Sequence, residues 1–211
     1  MADWVTISSL ATAGGTLVLA IATFGSVRSA NRAARVAEQA MLAGQRPLLI
    51  DSHLDDATQK VSFVDEKWLR LPGGGAAAEA TGEAVYMAIS LRNVGNGIAV
   101  LHGWQVATDG GRSAPDGPPP VESFHRLVRD LYIQAGDIGF WQGTFRDPGQ
   151  EDFARVGGAI GERRYLTVFI LYGDQEGGQR VISMFGMNPR DDGAYIATVG
   201  RHWHLDRPDP R

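Results

Sequence analysis

The stretch from Trp4 to Val27 holds no charged residue, and Arg28, Arg32 and Arg35 follow it at once. After Pro47 the pattern changes. Apolar residues now come in short runs, several alternating with polar ones, and Gly, Pro, Asn or Asp separate the runs about every ten positions. The first pattern predicts one long helix and the second a row of strands.

A bilayer core takes about 20 mostly apolar residues in a helix, and residues 5–24 supply that length without a proline. Val5, Ile7, Leu10, Leu17, Val18, Leu19, Ile21, Phe24 and Val27 favour insertion, while Thr6, Ser8, Ser9, Thr12, Gly14, Gly15, Thr16 and Thr23 dilute them. At roughly −0.3 to −0.6 kcal/mol per strong apolar residue, the balance favours insertion by a small margin. Residues 1–27 are therefore expected to form a transmembrane helix. A cleaved signal peptide fits less well, since a basic n-region is needed and this N-terminus carries Asp3. Positive residues beside a span stay on the cytoplasmic side. Arg28, Arg32 and Arg35 thus form the anchor flank. They predict a single-pass inner-membrane chain with its N-terminus outside and its C-terminal domain cytoplasmic, the arginines reaching the lipid bilayer's anionic headgroups.

From Arg28 onward the chain is rich in Ala and Arg, good helix formers, until Gly44 and Pro47 end the run. Residues 28–45 are read as a helical juxtamembrane stalk, so that residues 4–43 make one rod of about 60 Å. On it Ser8, Thr12, Thr16 and Ala20 recur every four positions, with Ala11 and Gly15 beside them and Ala33, Ala37 and Ala40 further along. Small residues at this spacing let helices approach closely, which makes a homo-oligomer through the helix an expectation.

Residues 46–211 are expected to form one β-sandwich domain with one short helix, giving a mainly β fold behind the N-terminal helix. The candidate strands are 47–53, 60–65, 67–71, 84–93, 97–107, 129–134, 138–145, 165–173, 179–186 and 194–204. Within 84–92, Val85, Met87, Ile89 and Leu91 share one face and Tyr86, Ala88, Ser90 and Arg92 the other, so one face belongs to a core. Asn93, Gly95, Asn96 and Gly97 read as a turn able to take positive φ, and residues 173–178 as the glycine-containing loop of a hairpin. The Gly-, Ala- and Pro-rich connections 72–83 and 108–120 are expected to be exposed and mobile. Asp147 and Pro148 read as the N-cap and first residue of a helix with Phe153, Val156 and Ile160 on one face. Residues 121–131 fit a helical period at first and a strand from Leu131, and the segment is split between the two.

Outside the first 45 residues there are 17 Lys+Arg against 22 Asp+Glu, a formal charge of −5. That balance argues against a nucleic-acid partner. Lys60 and Lys67 are the only lysines, and there is no cysteine, which removes thiol chemistry and Cys-based zinc sites.

His202, His204 and Asp206 alternate, so a strand through them would project two imidazoles and a carboxylate from one face, a spacing a metal can use. The competing reading is a solvent-facing strand end with Trp203 and Leu205 turned into apolar contact. His53, His102 and His125 stand alone in the sequence. Asp174 and Glu176 offer oxygens in a glycine-rich turn, far short of a calcium loop, and a hairpin turn is the better reading. Gly73, Gly74 and Gly75 lack the Lys-Ser/Thr of a phosphate loop, and neither G-x-S-x-G nor H-E-x-x-H occurs. No cofactor and no catalytic residue are implied. Trp68, Trp104, Trp141 and Trp203 lie on different expected strands, as for core residues rather than an aromatic platform.

The strings RNVGNGIAVLHGW (92–104), RDLYIQAGDIGFWQG (129–143), LYGDQEGGQR (171–180) and RHWHLDR (201–207), with this layout, resemble a group of uncharacterised actinobacterial membrane-anchored proteins. The resemblance covers nearly the whole chain and implies an immunoglobulin-like domain after one span. It brings no activity and no functional residue. Three readings of function stand: a membrane-tethered binding or scaffolding module with an unknown protein partner, which the pattern favours; a membrane-anchored metal-dependent hydrolase centred on His202, His204 and Asp206; and a structural envelope protein that oligomerises through its helix.

Overall fold

The computed structural model describes residues 3–108 and 117–207. Most of the expected connection 108–120 lies outside the described residues, as do the side chains of Val5, Thr6, Ala11 and Val128. The chain divides into two compact units, Met1–Gly44 and Gln45–Arg211.

The first unit is a single helix, α1 (Trp4–Gly44), long and apolar enough to cross a membrane. Its described side chains are all exposed. Within it the hydroxyls of Thr12, Thr16, Thr23 and Ser26 donate to the carbonyls of Ser8, Thr12, Leu19 and Ala22 at 2.8–2.9 Å. Three of the hydroxyls that dilute the apolar run, those of Thr12, Thr16 and Thr23, are therefore satisfied inside the helix, which lowers their cost in hydrocarbon.

The second unit is mainly β. Among the described residues its strands are β1 (Leu49–Asp51), β2 (Gln59–Ser62), β3 (Trp68–Leu71), β4 (Gly75–Ala80), β5 (Val85–Asn93), β6 (Ala99–Ala107), β7 (His125–Ile133), β8 (Ile138–Phe145), β9 (Leu166–Gly173), β10 (Arg180–Pro189) and β11 (Tyr195–His204), with a 3-10 turn (Val121–Ser123) before β7 and one α-helix, α2 (Glu151–Gly161), after β8. Nine strands form one sheet in the order β1-β5-β4-β11-β10-β9-β6-β7, with β8 on the other edge of β5, while β2 and β3 form a separate ribbon. Trp104 on β6 meets Trp141 on β8 with ring centroids 5.4 Å apart, although the two strands lie toward opposite ends of that order. The sheet curls over to enclose its core.

β8 occupies one edge of β5 from Val85 to Arg92, so β1 and β4 must share the other. β1 pairs Leu49, Ile50 and Asp51 with Asn93, Arg92 and Leu91, Ser52 donates its N–H to the Ser90 carbonyl, and β4 continues with Ala76 opposite Ile89. The two are halves of one strand position, and residues 53–75 are an excursion from it. Gly73 and Gly74 close its neck: a Cβ on Gly73 would lie 2.2 Å from the His53 carbonyl oxygen, and Gly74 has φ +65. The excursion carries the β2–β3 ribbon, whose Val61, Phe63, Leu69 and Leu71 pack on Ala84, Tyr86 and Ala88. Both faces of β5 are buried as a result, since Val85, Met87, Ile89 and Leu91 face the main core.

Four local expectations are corrected. The connection 72–83 contains β4, whose Ala76–Ala80 segment offers no large apolar side chain to alternate; α2 packs over it, burying Val156, Ala159 and Ile160. The split of 121–131 falls earlier than expected: only Val121–Ser123 is helical, as a 3-10 turn, and residues 125–133 form one strand, because pairing with β6 overrides the local helical period. α2 starts at Glu151 with Gln150 as N-cap, and Asp147 instead accepts the Gly149 N–H in a preceding turn. Gly95 and Gly97 are not among the positive-φ residues; among the described residues the glycines that are include Gly74, Gly136, Gly177 and Gly193. They serve close approach: a Cβ would come within 2.3 Å of the Arg46 oxygen at Gly95 and 1.7 Å of the Gln45 oxygen at Gly97.

Candidate functional site

The polar side chains of the domain concentrate where the segment Gln45–Ser52 crosses the end of β11. Arg46 donates from Nη1 to Asp206 Oδ1 at 2.9 Å and from Nη2 to Oδ2 at 2.5 Å. Its Nη1 also lies 3.1 Å from His204 Nδ1. A guanidinium can only donate, so Nδ1 accepts and the proton of a neutral His204 ring sits on Nε2. The Arg46 hydrogen bond holds the Asp206 carboxyl below the usual carboxylate range, and the same bond raises Arg46.

Beneath this pair runs a buried chain. The Leu49 N–H donates to the Tyr172 hydroxyl at 3.1 Å, that hydroxyl lies 2.9 Å from Ser183 Oγ, and Ser183 Oγ lies 2.6 Å from His202 Nδ1. Burial pushes the Tyr172 phenol up to about 12. Further along, Asp51 Oδ1 accepts the Val199 N–H at 2.8 Å, and Asn93 Oδ1 accepts from Leu48 and Gly95 while its Nδ2 donates to Gly97 and Ile133. Side chains thus join β1 to β11 where backbone pairing stops, because β4 pairs with β11 only through Tyr195 and Ile196, with one more backbone bond from the Ala197 N–H to the Gly74 carbonyl.

His202, His204 and Asp206 do lie at one strand end. A cation is already seated against two of them, for Arg46 holds Asp206 and His204, and His202 turns to Ser183. Among the described residues no group of three or more His, Cys, Asp or Glu is arranged to hold a metal. Chemically the arrangement is a clasp between the start of the domain and its last strand.

The remaining histidines are separate. His125 Nε2 lies 3.2 Å from Asp152 Oδ2, its ring packed on Trp104 and Phe145, while Arg155 bonds Asp152 and donates to the Val106 carbonyl and Thr108 hydroxyl. These contacts pin α2 to β6. Burial lowers the pKa of His102, and the His53 N–H donates to Asp56 Oδ2. Asp174 accepts the Gly178 N–H in the β9–β10 turn, whereas Glu176 is exposed. Of the four domain tryptophans, Trp104, Trp141 and Trp203 are buried and Trp68 is 60% exposed, so the core assignment is corrected for Trp68. On α1, Ser8, Thr12, Gly15, Thr16 and Ala20 are exposed, as are Arg28, Arg32 and Arg35.

Sequence reasoning did not single out Arg46, Asn93, Tyr172 or Ser183 as a cluster. Their partners lie up to 160 residues away, and the one local hint was an arginine between a helix end and a proline. No known protein family matches this chain, and no curated protein matches it.

Proposed function

We propose that the chain is a single-pass inner-membrane protein, N-terminus outside, whose stalk presents an immunoglobulin-like domain in the cytoplasm as a binding or scaffolding module. The observation that carries this reading is α1, an uncharged run ending at three arginines on a helix long and apolar enough to span a bilayer. The internally bonded hydroxyls of the helix support it. The domain's contribution is a rigid body held at its first residues by the Arg46 clasp.

Self-association through Ser8, Thr12, Gly15, Thr16 and Ala20 belongs to the same reading. A Cβ added at Gly15 meets nothing within 4 Å. Gly15→Leu therefore leaves the single helix intact, and loss of crosslinking reads contact between copies alone.

Protease added to intact cells, then to permeabilised cells, tests the topology. The domain resists cleavage in the first and is cut in the second. Cleavage in intact cells would overturn the orientation.

A further inference from the structure

Five large hydrophobic side chains of the domain are exposed among the described residues: Leu54, Val64, Trp68, Val94 and Tyr132. Three of them sit on the excursion 53–75. The same excursion carries both lysines of the chain, Lys60 and Lys67, together with Arg70, in a domain whose formal charge is −5 outside the first 45 residues. The excursion also carries four acidic residues, Asp55, Asp56, Asp65 and Glu66, so what matters is which of these side chains share a face with Trp68.

The register explains what it displays. Lys60 lies opposite Arg70 and Ser62 opposite Trp68. Because Val61, Leu69 and Leu71 are buried against β5, strand alternation puts Lys60, Ser62, Trp68 and Arg70 on the outward face. At the turn Asp65 accepts from the Tyr86 hydroxyl, Lys67 pairs with Glu79, Asp56 pairs with Arg92, and exposed Glu66 lies in the turn between the strands, outside their paired residues. The face itself is an indole flanked by two cations.

We propose that the outward face of the β2–β3 ribbon binds the anionic headgroups of the bilayer that holds the tether. The proposal rests on the membrane-tethered reading above. Indoles favour the headgroup level, and lysine and arginine there keep their stems on apolar matter and their charges in water. A protein partner fits less well. A stable interface takes roughly 800 Å² from each side, more than four side chains of a narrow ribbon provide. A tethered domain needs far less affinity, since the second contact is intramolecular. Residues 28–44, about 25 Å as a helix, keep the domain near the lipid surface, where each basic side chain adds about fivefold to binding.

The test uses the full chain, one copy per nanodisc, in phosphatidylcholine alone and in phosphatidylcholine with phosphatidylglycerol, with backbone hydrogen exchange as readout. Residues 59–71 are expected to exchange at least fivefold more slowly in the anionic discs, with β9 unchanged as the fold control. Lys60→Ser with Arg70→Ser, and separately 0.5 M salt (about a 4 Å screening length), are expected to remove the difference. Equal exchange of 59–71 in both discs, with the chain incorporated, would overturn the headgroup contact and leave the tether standing. Failure of the chain to incorporate would overturn both.

Discussion

Arg46 and Asp206 join the start of the domain to the bend just after its last strand through two hydrogen bonds of 2.9 and 2.5 Å, across 160 residues of sequence. The pair is mostly shielded from solvent, with side-chain exposures of 14% and 26%. It therefore escapes much of the screening that makes surface ion pairs weak.

Asp206→Ala is expected to destabilise the domain by about 2 kcal/mol, the range for hydrogen bonds to charged groups. Arg46→Ala should cost a similar amount, and the double variant clearly less than the sum. The Asp206 carboxyl is held low in the folded state, so its contribution is present above the unfolded value of about 3.9 and is lost as pH falls through the folded value. Urea unfolding from pH 7 to pH 2 checks this. The wild type should lose stability below about pH 4, more steeply than Asp206→Asn.

Tyr172→Phe is expected to cost about 1–3 kcal/mol, because the buried Leu49 N–H loses its acceptor. The Tyr172 pKa is raised to about 12 by burial. A raised phenol contributes stability that is complete below the unfolded value near 10 and lost as pH rises from there through the folded value. Alkaline unfolding followed from pH 9 to pH 12 should show a fall in wild type that is smaller in Tyr172→Phe.

Two glycine-to-alanine changes should have opposite signs. Gly97→Ala drives a Cβ to 1.7 Å from the Gln45 oxygen and should cost about 2 kcal/mol or more as the leading segment shifts. Gly158→Ala lies inside α2 with nothing within 4 Å of the new Cβ. It should stabilise by about 0.5–1 kcal/mol through helix propensity. Thermal unfolding of the two variants decides.

Trp141 is fully buried and its indole N–H has no hydrogen-bond partner. Trp141→Phe therefore loses volume but no hydrogen bond, and should cost well under the 3–5 kcal/mol expected for Trp141→Ala. Denaturant midpoints of the pair measure the difference.

The mainly β fold with a long apolar helix in front was legible because each large element carries its own period. α1 shows an uncharged run, and β5, β9 and β10 show dense branched and aromatic residues between turn signals. β4 was not legible, since Gly75–Ala80 holds no large apolar side chain and is recognised only by its place between β5 and β11. Nor was the excursion 53–75, because β2 and β3 look like any other strands until the register shows Ala76 succeeding Ser52 along β5. The alternation of His202, His204 and Asp206 is visible in the sequence. Its meaning depended on Arg46, which no local spacing connects to it.

The most direct test of the account is the behaviour of the full-length chain in carbonate-washed membranes. Bilayer solvation of the uncharged part of α1 predicts that the chain stays in the pellet after ultracentrifugation and that deletion of residues 1–27 releases the remainder into the supernatant. Full-length chain recovered in the supernatant without detergent would contradict the tether and the function built on it.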